Sequence, residues 1–267
     1  MQWNIRNFRK NKMKKILFVI AKYNDNRQKI FDDIISPRNK QYCEKHNFKY
    51  VEIKNDKHID LFRNNPTWWK FTIVRDLIDN NKVEDGDIIS HIDADMYFVK
   101  DDISLETSKS FSYSIDSGNT HCMGWYSIKI NDWSKNLIKN ILSEDRFKKL
   151  NDKVTIHDRF KKYSSFWHEF REQASWYSLA GIKRHSDKPF WEYPNNGFYS
   201  QYDENVIYSL DELEKNVEIF PTEFNVTEWE NESSCQFNIN HVKKNNVVIR
   251  HFAGGQDWTN VKNWIYE

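Results

Sequence analysis

Short apolar runs alternate with longer polar segments along most of this chain. The runs are rich in β-branched or aromatic residues, a composition that favours buried strands. They are bounded by polar residues, often of the types found in turns. The runs with this pattern are 15–21, 49–53, the run with Ile88, Ile89 and Ile92, 111–115, 125–130, 217–220 and 247–252.

Helical spacing of apolar residues occurs between several of these runs. Residues 66–80 carry apolar side chains every three or four positions, and residues 131–142 form a second helix with Asn131 as its cap. A helical segment around Pro37 is expected to be interrupted there, because proline removes a backbone donor. Another helix is predicted over 165–180.

The alternation of buried strands and helices predicts the fold class. It is typical of an α/β protein with a Rossmann-like, mostly parallel central sheet flanked by helices. The chain contains no linker rich in Pro, Gly or Ser and no internal repeat. We therefore expect a single domain over 15–267, preceded by an N-terminal extension at 1–14.

Two carboxylates follow the run that contains Ile88, Ile89 and Ile92. They are Asp93 and Asp95, separated only by the small residue Ala94. The carboxyl end of a buried parallel strand opens into the crevice where α/β sheets bind ligands. Two aspartates on a turn there can converge on one hard cation, and their oxygens suit Mg²⁺ or Mn²⁺, which also bridge diphosphate oxygens. A turn with two solvated aspartates is the alternative, because Asp-x-Asp is a common pattern.

Two further strand ends are expected at the same edge of the sheet. The loop after the first strand, with Ala21, Tyr23 and Asn24, is placed to meet a nucleotide. The last strand leads into His251 and then Gly254 and Gly255, which offer an imidazole ligand and a backbone that a phosphate can approach closely. Mn²⁺ accepts mixed carboxylate and imidazole ligation. A core histidine before a Gly-Gly turn is the alternative.

Composition and charge exclude several classes of protein. The net charge of +1 lacks the basic footprint of a nucleic-acid-binding protein. None of the 7 glycines belongs to a P-loop or a G-x-G-x-x-G fingerprint, and the 3 scattered cysteines form neither a disulfide framework nor a zinc site. The apolar run at 16–21 is too short to span a bilayer, so we expect a soluble, cytoplasmic protein. Residues 1–14 are expected to be a frayed extension, with weak peripheral membrane contact as the alternative.

Six stretches, in order along the chain, resemble motifs of one family of retaining glycosyltransferases. The family includes fungal Golgi α-galactosyl- and α-mannosyltransferases and plant xyloglucan α-xylosyltransferases. The stretches are RNKQYCEKHNFKY, TWWKFTIVRDLI, DIISHIDADMYF, MGWYSIKINDWSKNLI, REQASWYSLA and RHFAGG.

This resemblance implies a GT-A fold and a metal-dependent transfer from a UDP- or GDP-linked sugar. A Mn²⁺ or Mg²⁺ ion on Asp95, assisted by Asp93 and His251, would bridge the diphosphate of the donor, and Asp93 would also reach the ribose hydroxyls. The acceptor would be a glycan or glycolipid hydroxyl, as in polysaccharide biosynthesis, with a hexose or pentose transferred with retention. A carboxylate nucleophile and a front-face exchange are both open as mechanisms.

The resemblance also assigns roles to three residues on predicted helices. Lys70 would add positive charge near the diphosphate, with an exposed helix lysine as the alternative. Glu172 and Gln173 would hold the donor sugar or orient the acceptor hydroxyl, with a salt-bridged surface position as the alternative for Glu172. Many relatives have Asp where this chain has Glu172, and His121-Cys122-Met123 replaces the usual Asn-Thr before the glycine.

Two other functions stay open from the sequence. One is a Mn²⁺-dependent phosphohydrolase of nucleotide sugars, which also needs carboxylates on a metal ion. The other is a non-catalytic carbohydrate-binding protein that uses the aromatic side chains, which make up 16% of the chain.

Overall fold

The computed structural model describes residues 13–23, 25–54, 66–117, 121–145, 172–182, 206–227 and 242–252. The chain falls into two compact units. The sheet unit comprises Met1–Lys57, Val83–Ile130 and Glu218–Glu267, and the helical unit comprises His58–Lys82 and Asn131–Val217. The predicted extent of the domain, 15–267, stays a prediction.

A six-stranded sheet dominates the first unit. Its spatial order is β2-β1-β3-β6-β5-β7. The strands are β1 (Lys15–Ile20), β2 (Lys49–Ile53), β3 (Ile88–Ile92), β5 (Phe111–Ile115), β6 (His121–Lys129) and β7 (Val217–Phe220). All five residues of β3 are buried, as expected for a central strand covered on both faces. The predicted α/β sheet is therefore confirmed.

The sheet is mixed, and its parallel part is smaller than predicted. Strand β1 pairs in parallel with β2 and β3, whereas β6 pairs antiparallel with both β3 and β5. The connection from β5 to β6 is only a few residues long. A parallel partner would need a long crossover, so this short connection requires antiparallel pairing.

A two-stranded ribbon adjoins the carboxyl end of β3. It pairs β4 (Met96–Phe98) antiparallel with β8 (Ile249–His251), so that Met96 lies opposite His251. The ribbon is supported from α2 (Ser36–Lys45), where the buried amide of Asn39 donates to Met96 O at 3.1 Å and accepts from Phe98 N at 3.3 Å. This ribbon fixes the relative positions of two segments that are far apart in the sequence.

The prediction that the helix is broken near Pro37 is wrong, because only the helix type changes just before this residue. After α1 (Asn26–Ile30) the chain makes a π-helical segment, Phe31–Ile35, and continues directly into α2 with Pro37 in its first turn. Proline lacks the N–H that would bond the preceding turn, and the chain has π-helical spacing, with Ser36 N–H bonded to Phe31 O, directly before it. The helical path is therefore continuous.

Helices make up most of the described part of the second unit. They are α3 (Trp69–Asp79), α4 (Asp132–Ile141), α5 (Glu172–Ala180) and α6 (Leu210–Asn216). The predicted cap of α4 is confirmed, since the Asn131 side chain accepts from Ser134 N at 2.9 Å and the Ser134 hydroxyl accepts from Asn131 N. Helix α5 is joined to α4 by a bond from the Ser175 hydroxyl to Ile141 O, at 3.0 Å. None of the helices in the described ranges combines the length and the apolar character needed to cross a bilayer.

Candidate metal centre

The Asp-Ala-Asp segment forms a tight turn between β3 and β4. Met96 N donates to Asp93 O at 3.1 Å and closes the turn. Asp93 N donates to Gly124 O at 2.7 Å, and Phe252 N donates to Asp95 O at 2.9 Å. The backbone of each aspartate is thus held by a different neighbouring segment, and Ala94 between them is buried.

His251, at the end of β8, joins the two aspartates. One ligand atom from each of Asp93, Asp95 and His251 lies within 4.8 Å of the others. His251 Nε2 is 3.5 Å from Asp95 Oδ1. The aspartate side chains are 34% and 25% exposed, whereas that of His251 is 7% exposed. The cluster is therefore held on a buried imidazole and opens to solvent through its carboxylates.

Asn225 orients the imidazole. His251 Nδ1 lies 2.8 Å from the amide oxygen of Asn225, which can only accept a hydrogen bond, so Nδ1 carries the proton. In the neutral imidazole the lone pair is then on Nε2, the nitrogen that lies 3.5 Å from Asp95 Oδ1. Histidine ligands of metal ions commonly donate their second ring N–H in this way, which fixes both the tautomer and the orientation of the ring.

Gly124, on β6, allows the cluster to close. A Cβ atom at this position would lie 3.0 Å from Met96 Sδ, 3.1 Å from His251 Cε1 and 3.5 Å from Asp93 Oδ2. Two of these distances are shorter than ordinary van der Waals contacts, so a side chain at this position would push the ligands apart.

Tyr23, one of the predicted residues after β1, lies close enough to the same carboxylates to feel their charge. Burial raises the pKa of the half-buried Tyr23 above its usual range, and the negative charges of Asp95 and Asp93 raise it further. The guanidinium of Arg27 lies 4.9 Å from the centre of the Tyr23 ring. Ala21 is buried, and its N–H donates to the last residue of β2 at 3.0 Å. Nucleotide contact by this loop stays a prediction.

The predicted site residues on helices form a separate set within the helical unit. Lys70 Nζ on α3 is 3.2 Å from Glu172 Oε1 on α5, and the two side chains are only 5% and 6% exposed. The alternative of an exposed lysine is therefore wrong, and Glu172 is paired with a cation but buried. Gln173 Nε2 donates to the Tyr177 hydroxyl at 2.9 Å. The catalytic roles of Glu172 and Gln173, and the role of Lys70 at a diphosphate, stay predictions.

Three predicted residues, Asn24, Gly254 and Gly255, lie outside the described residues. The structure adds His91, Asn225 and Gly124, which the sequence interpretation did not assign. His91 could have been found, because residues two apart on a strand share a face and His91 precedes Asp93 by two. Asn225 begins an Asn-x-Thr pattern, but nothing in that pattern indicates a partner for a histidine.

The donor set fits a hard or borderline divalent cation. Carboxylate oxygens suit Mg²⁺ and Mn²⁺, and a neutral imidazole adds affinity for Mn²⁺. Three protein ligands leave positions in an octahedral shell for water or for oxygens of a bound ligand. The arrangement can therefore bring positive charge to an anionic ligand at the carboxyl end of β3.

No protein-family model and no curated protein matches the sequence. Among solved structures, a glycosyltransferase involved in the glycosylation of the major capsid of PBCV-1 is similar over 94% of this chain and 98% of its own, with 9% identity and a TM-score of 0.44. The galactosyltransferase LgtC, in complex with donor and acceptor sugar analogs, is similar over 94% of this chain and 95% of its own, with 11% identity and a TM-score of 0.38.

The glycosyltransferase GlyE of Streptococcus pneumoniae TIGR4 is similar over 95% of this chain and 61% of its own, with 10% identity and a TM-score of 0.46. Similarities at this level establish neither a family nor an activity. The resemblance to fungal and plant enzymes stays a prediction.

Proposed function

We propose that this chain is a metal-dependent GT-A glycosyltransferase. It would transfer a hexose or pentose from a UDP- or GDP-linked sugar to a hydroxyl of a glycan or glycolipid, with retention. The observation that carries the proposal is the convergence of Asp93, Asp95 and His251 at the carboxyl end of β3. Ligands of α/β sheets bind at this end of the strands.

The protonation of the cluster supports a cation site. The bond to Asn225 places a proton on Nδ1 of His251, so that in the neutral imidazole the lone pair of Nε2 faces a carboxylate oxygen of Asp95 at 3.5 Å. A lone pair and a carboxylate oxygen at this separation repel each other unless a cation or a proton lies between them. When bound, a divalent ion would act as a Lewis acid that neutralises the charge developing on the leaving diphosphate.

The residues around the cluster have matching roles in the proposal. Asp95 and His251 hold the cation, and Asp93 both assists them and reaches the ribose. The loop with Ala21, Tyr23 and Asn24 receives the nucleotide, with the neutral phenol of Tyr23 as one wall. The backbones of Ala94, Gly254 and Gly255 approach the phosphates.

The helical unit contributes the remaining roles. Lys70 adds positive charge near the diphosphate, and Glu172 and Gln173 hold the donor sugar or orient the acceptor hydroxyl. The buried pair of Lys70 with Glu172 supports a defined position for both side chains. A carboxylate that is already paired with a lysine is a weaker nucleophile, which favours front-face exchange over a covalent intermediate.

The test measures binding of a nucleotide sugar with and without Mn²⁺. A panel of UDP- and GDP-sugars is screened by the shift in melting temperature, since ligands that bind the native state stabilise it. We expect a shift that requires Mn²⁺, disappears with EDTA and is lost in Asp95→Asn. Asp101→Asn is the matched control, because Asp101 is a half-exposed aspartate of the same unit that pairs with Lys45 at 2.8 Å.

Turnover then separates transfer from its alternatives. Transfer predicts release of the nucleoside diphosphate that rises strongly when a glycan acceptor is added, and a product with the anomeric configuration of the donor. Release at the full rate without an acceptor would instead identify a phosphohydrolase. Sugar binding that is insensitive to EDTA and to Asp95→Asn would identify a carbohydrate-binding protein.

A further inference from the structure

We propose that His91 is a positioning residue that orients the Asp93 carboxylate so that its Oδ2 atom would face a bound cation. This inference rests on the proposed function, since it concerns how the cation is held. In this proposal His91 has a role in the site, although its imidazole does not itself bind the cation.

The hydrogen bond between the two side chains is short and shielded. His91 Nε2 lies 2.8 Å from Asp93 Oδ1, and the His91 side chain is almost completely buried. An ionised carboxylate can only accept, so the imidazole is the donor. Donation to a charged acceptor in a shielded position is among the stronger types of protein hydrogen bond.

Packing on both sides fixes the orientation of the imidazole. His91 is on the central strand β3, where it pairs with Phe18 of β1 and Tyr126 of β6. The ring centres of Phe18 and Tyr126 lie 4.9 Å and 5.5 Å from that of His91. The donor is therefore aimed by the core of the sheet.

The bond to His91 decides which oxygen of Asp93 faces the cluster. With Oδ1 bound to the imidazole, Oδ2 points toward the surface of Gly124, 3.5 Å from the place that a Cβ would occupy there. His251 Cε1 lies 3.1 Å from the same place. Oδ2 thus lies on the side of Asp93 that His251 approaches, and it is the atom that we assign to a shared cation.

The backbone hydrogen bonds of the Asp-Ala-Asp turn argue against a purely structural role for the bond between His91 and Asp93. The backbone of the Asp-Ala-Asp turn is already held by its own closing bond and by bonds to Gly124 and Phe252. Loss of the imidazole donor would leave these three bonds in place. What it would remove is a restraint on the Asp93 side chain that these three backbone bonds do not supply.

The experiment measures the dissociation constant of Mn²⁺ for the full chain by calorimetry. His91→Phe keeps an aromatic ring between Phe18 and Tyr126 but removes the donor. We expect its dissociation constant to rise about 10- to 100-fold, the usual effect of losing a residue that orients a metal ligand. His91→Gln, which places an amide donor near the original Nε2, should recover most of the affinity.

A matched control removes a second histidine of the same unit. His46 Nε2 is 2.8 Å from Asp101 O and its ring lies 4.5 Å from that of Tyr42, so it has a hydrogen bond and an aromatic neighbour like those of His91. His46→Phe should leave the dissociation constant unchanged. Circular dichroism and thermal melting of the metal-free variants show whether each one folds. If His91→Phe does not fold, the affinity of His91→Gln is compared with that of the wild type instead.

The electron paramagnetic resonance spectrum of bound Mn²⁺ gives an independent readout. At saturating Mn²⁺ the zero-field splitting of His91→Phe should differ from that of the wild type, because Asp93 would bind through a different geometry. Unchanged affinity and an unchanged spectrum in His91→Phe, with binding still lost in Asp95→Asn, would overturn the role of His91 alone. Wild-type protein that binds Mn²⁺ no better than Asp95→Asn would overturn the proposed function and this inference together.

Discussion

The two charged clusters of this protein use similar side chains in opposite ways. In the helical unit, Lys70 and Glu172 form an ion pair 3.2 Å long that is almost completely buried. In the sheet unit, Asp93 and Asp95 converge with His251, and the two carboxylates keep a quarter to a third of their surface in contact with solvent. In the helical unit a carboxylate is paired with a lysine of the same chain. In the sheet unit two carboxylates lie around a point that a cation from solvent can reach.

This difference separates a contribution to stability from a contribution to binding. A buried pair is strongly coupled to folding, because removing one partner leaves an uncompensated charge in a medium of low polarity. An accessible acidic cluster contributes little to folding or opposes it, since like charges repel. We therefore expect substitutions in the helical unit's pair to lower stability strongly, whatever they do to donor binding, and substitutions in the candidate metal centre to lower metal affinity with little effect on stability.

The largest effect on stability is expected from Lys70→Met. It leaves Glu172 buried without its cation and should lower the free energy of unfolding by about 3–5 kcal/mol in denaturant titrations. The double variant Lys70→Met/Glu172→Leu should recover much of that loss. The half-exposed pair of Arg75 and Asp76 in the same unit is the control, and Arg75→Met should cost less than about 1 kcal/mol. Equal losses at the two sites would remove the distinction drawn here.

The next prediction tests whether a buried titratable side chain in the sheet unit also controls the stability of the protein. His121 is buried, its Nδ1 lies 2.7 Å from the Tyr113 hydroxyl, and burial lowers its pKa from 6.5 to about 4. Between these pH values the unfolded chain binds a proton that the folded chain does not. Stability is therefore complete above pH 6.5 and falls as the pH is lowered toward 4, by up to about 3 kcal/mol.

Unfolding free energies measured at several pH values check this expectation. His121→Asn keeps an amide group near Nδ1 for the Tyr113 hydroxyl but does not titrate, so its stability should fall less than that of the wild type over the same range. Parallel curves for the two proteins would show that His121 does not control the loss.

A smaller loss of stability is expected from a substitution of Gly124, which should change both the free energy of unfolding and the affinity for Mn²⁺. Gly124→Ala introduces a Cβ only 3.0 Å from Met96 Sδ and 3.1 Å from His251 Cε1. Overpacking of this kind typically costs about 1–3 kcal/mol. Because His251 must shift, Mn²⁺ affinity should fall in the same variant. Calorimetry and thermal melting together check both effects, and a loss of stability with unchanged affinity would separate Gly124 from the centre.

The smallest effect on stability should come from Asp95→Asn. The side chain is partly exposed and the change removes one of two neighbouring negative charges, so the metal-free free energy of unfolding should change by no more than about 0.5 kcal/mol. Mn²⁺ affinity should nevertheless fall by more than about 100-fold, beyond the typical effect of an outer residue. A large loss of stability with retained affinity would reverse the roles assigned to the two clusters.

The sequence by itself determined the elements whose causes are local. The strands at 49–53, 111–115 and 217–220 have the predicted bounds, because short runs rich in β-branched or aromatic residues between polar segments favour strands. The capped start of α4 follows from Asn131 and Ser134, three residues apart. The Asp-Ala-Asp segment was assigned to a turn at a strand end because a buried strand must stop before two charged residues.

The tertiary structure alone decided which distant residues meet. The pairing of β4 with β8, the bond from His251 to Asn225 and the pair of Lys70 with Glu172 each join segments with no common local pattern. The mixed direction of the sheet likewise depends on how the strands are connected. Local periodicity fixes which face of an element is buried, but the free energy of packing selects its partner, and that selection involves the whole unit at once.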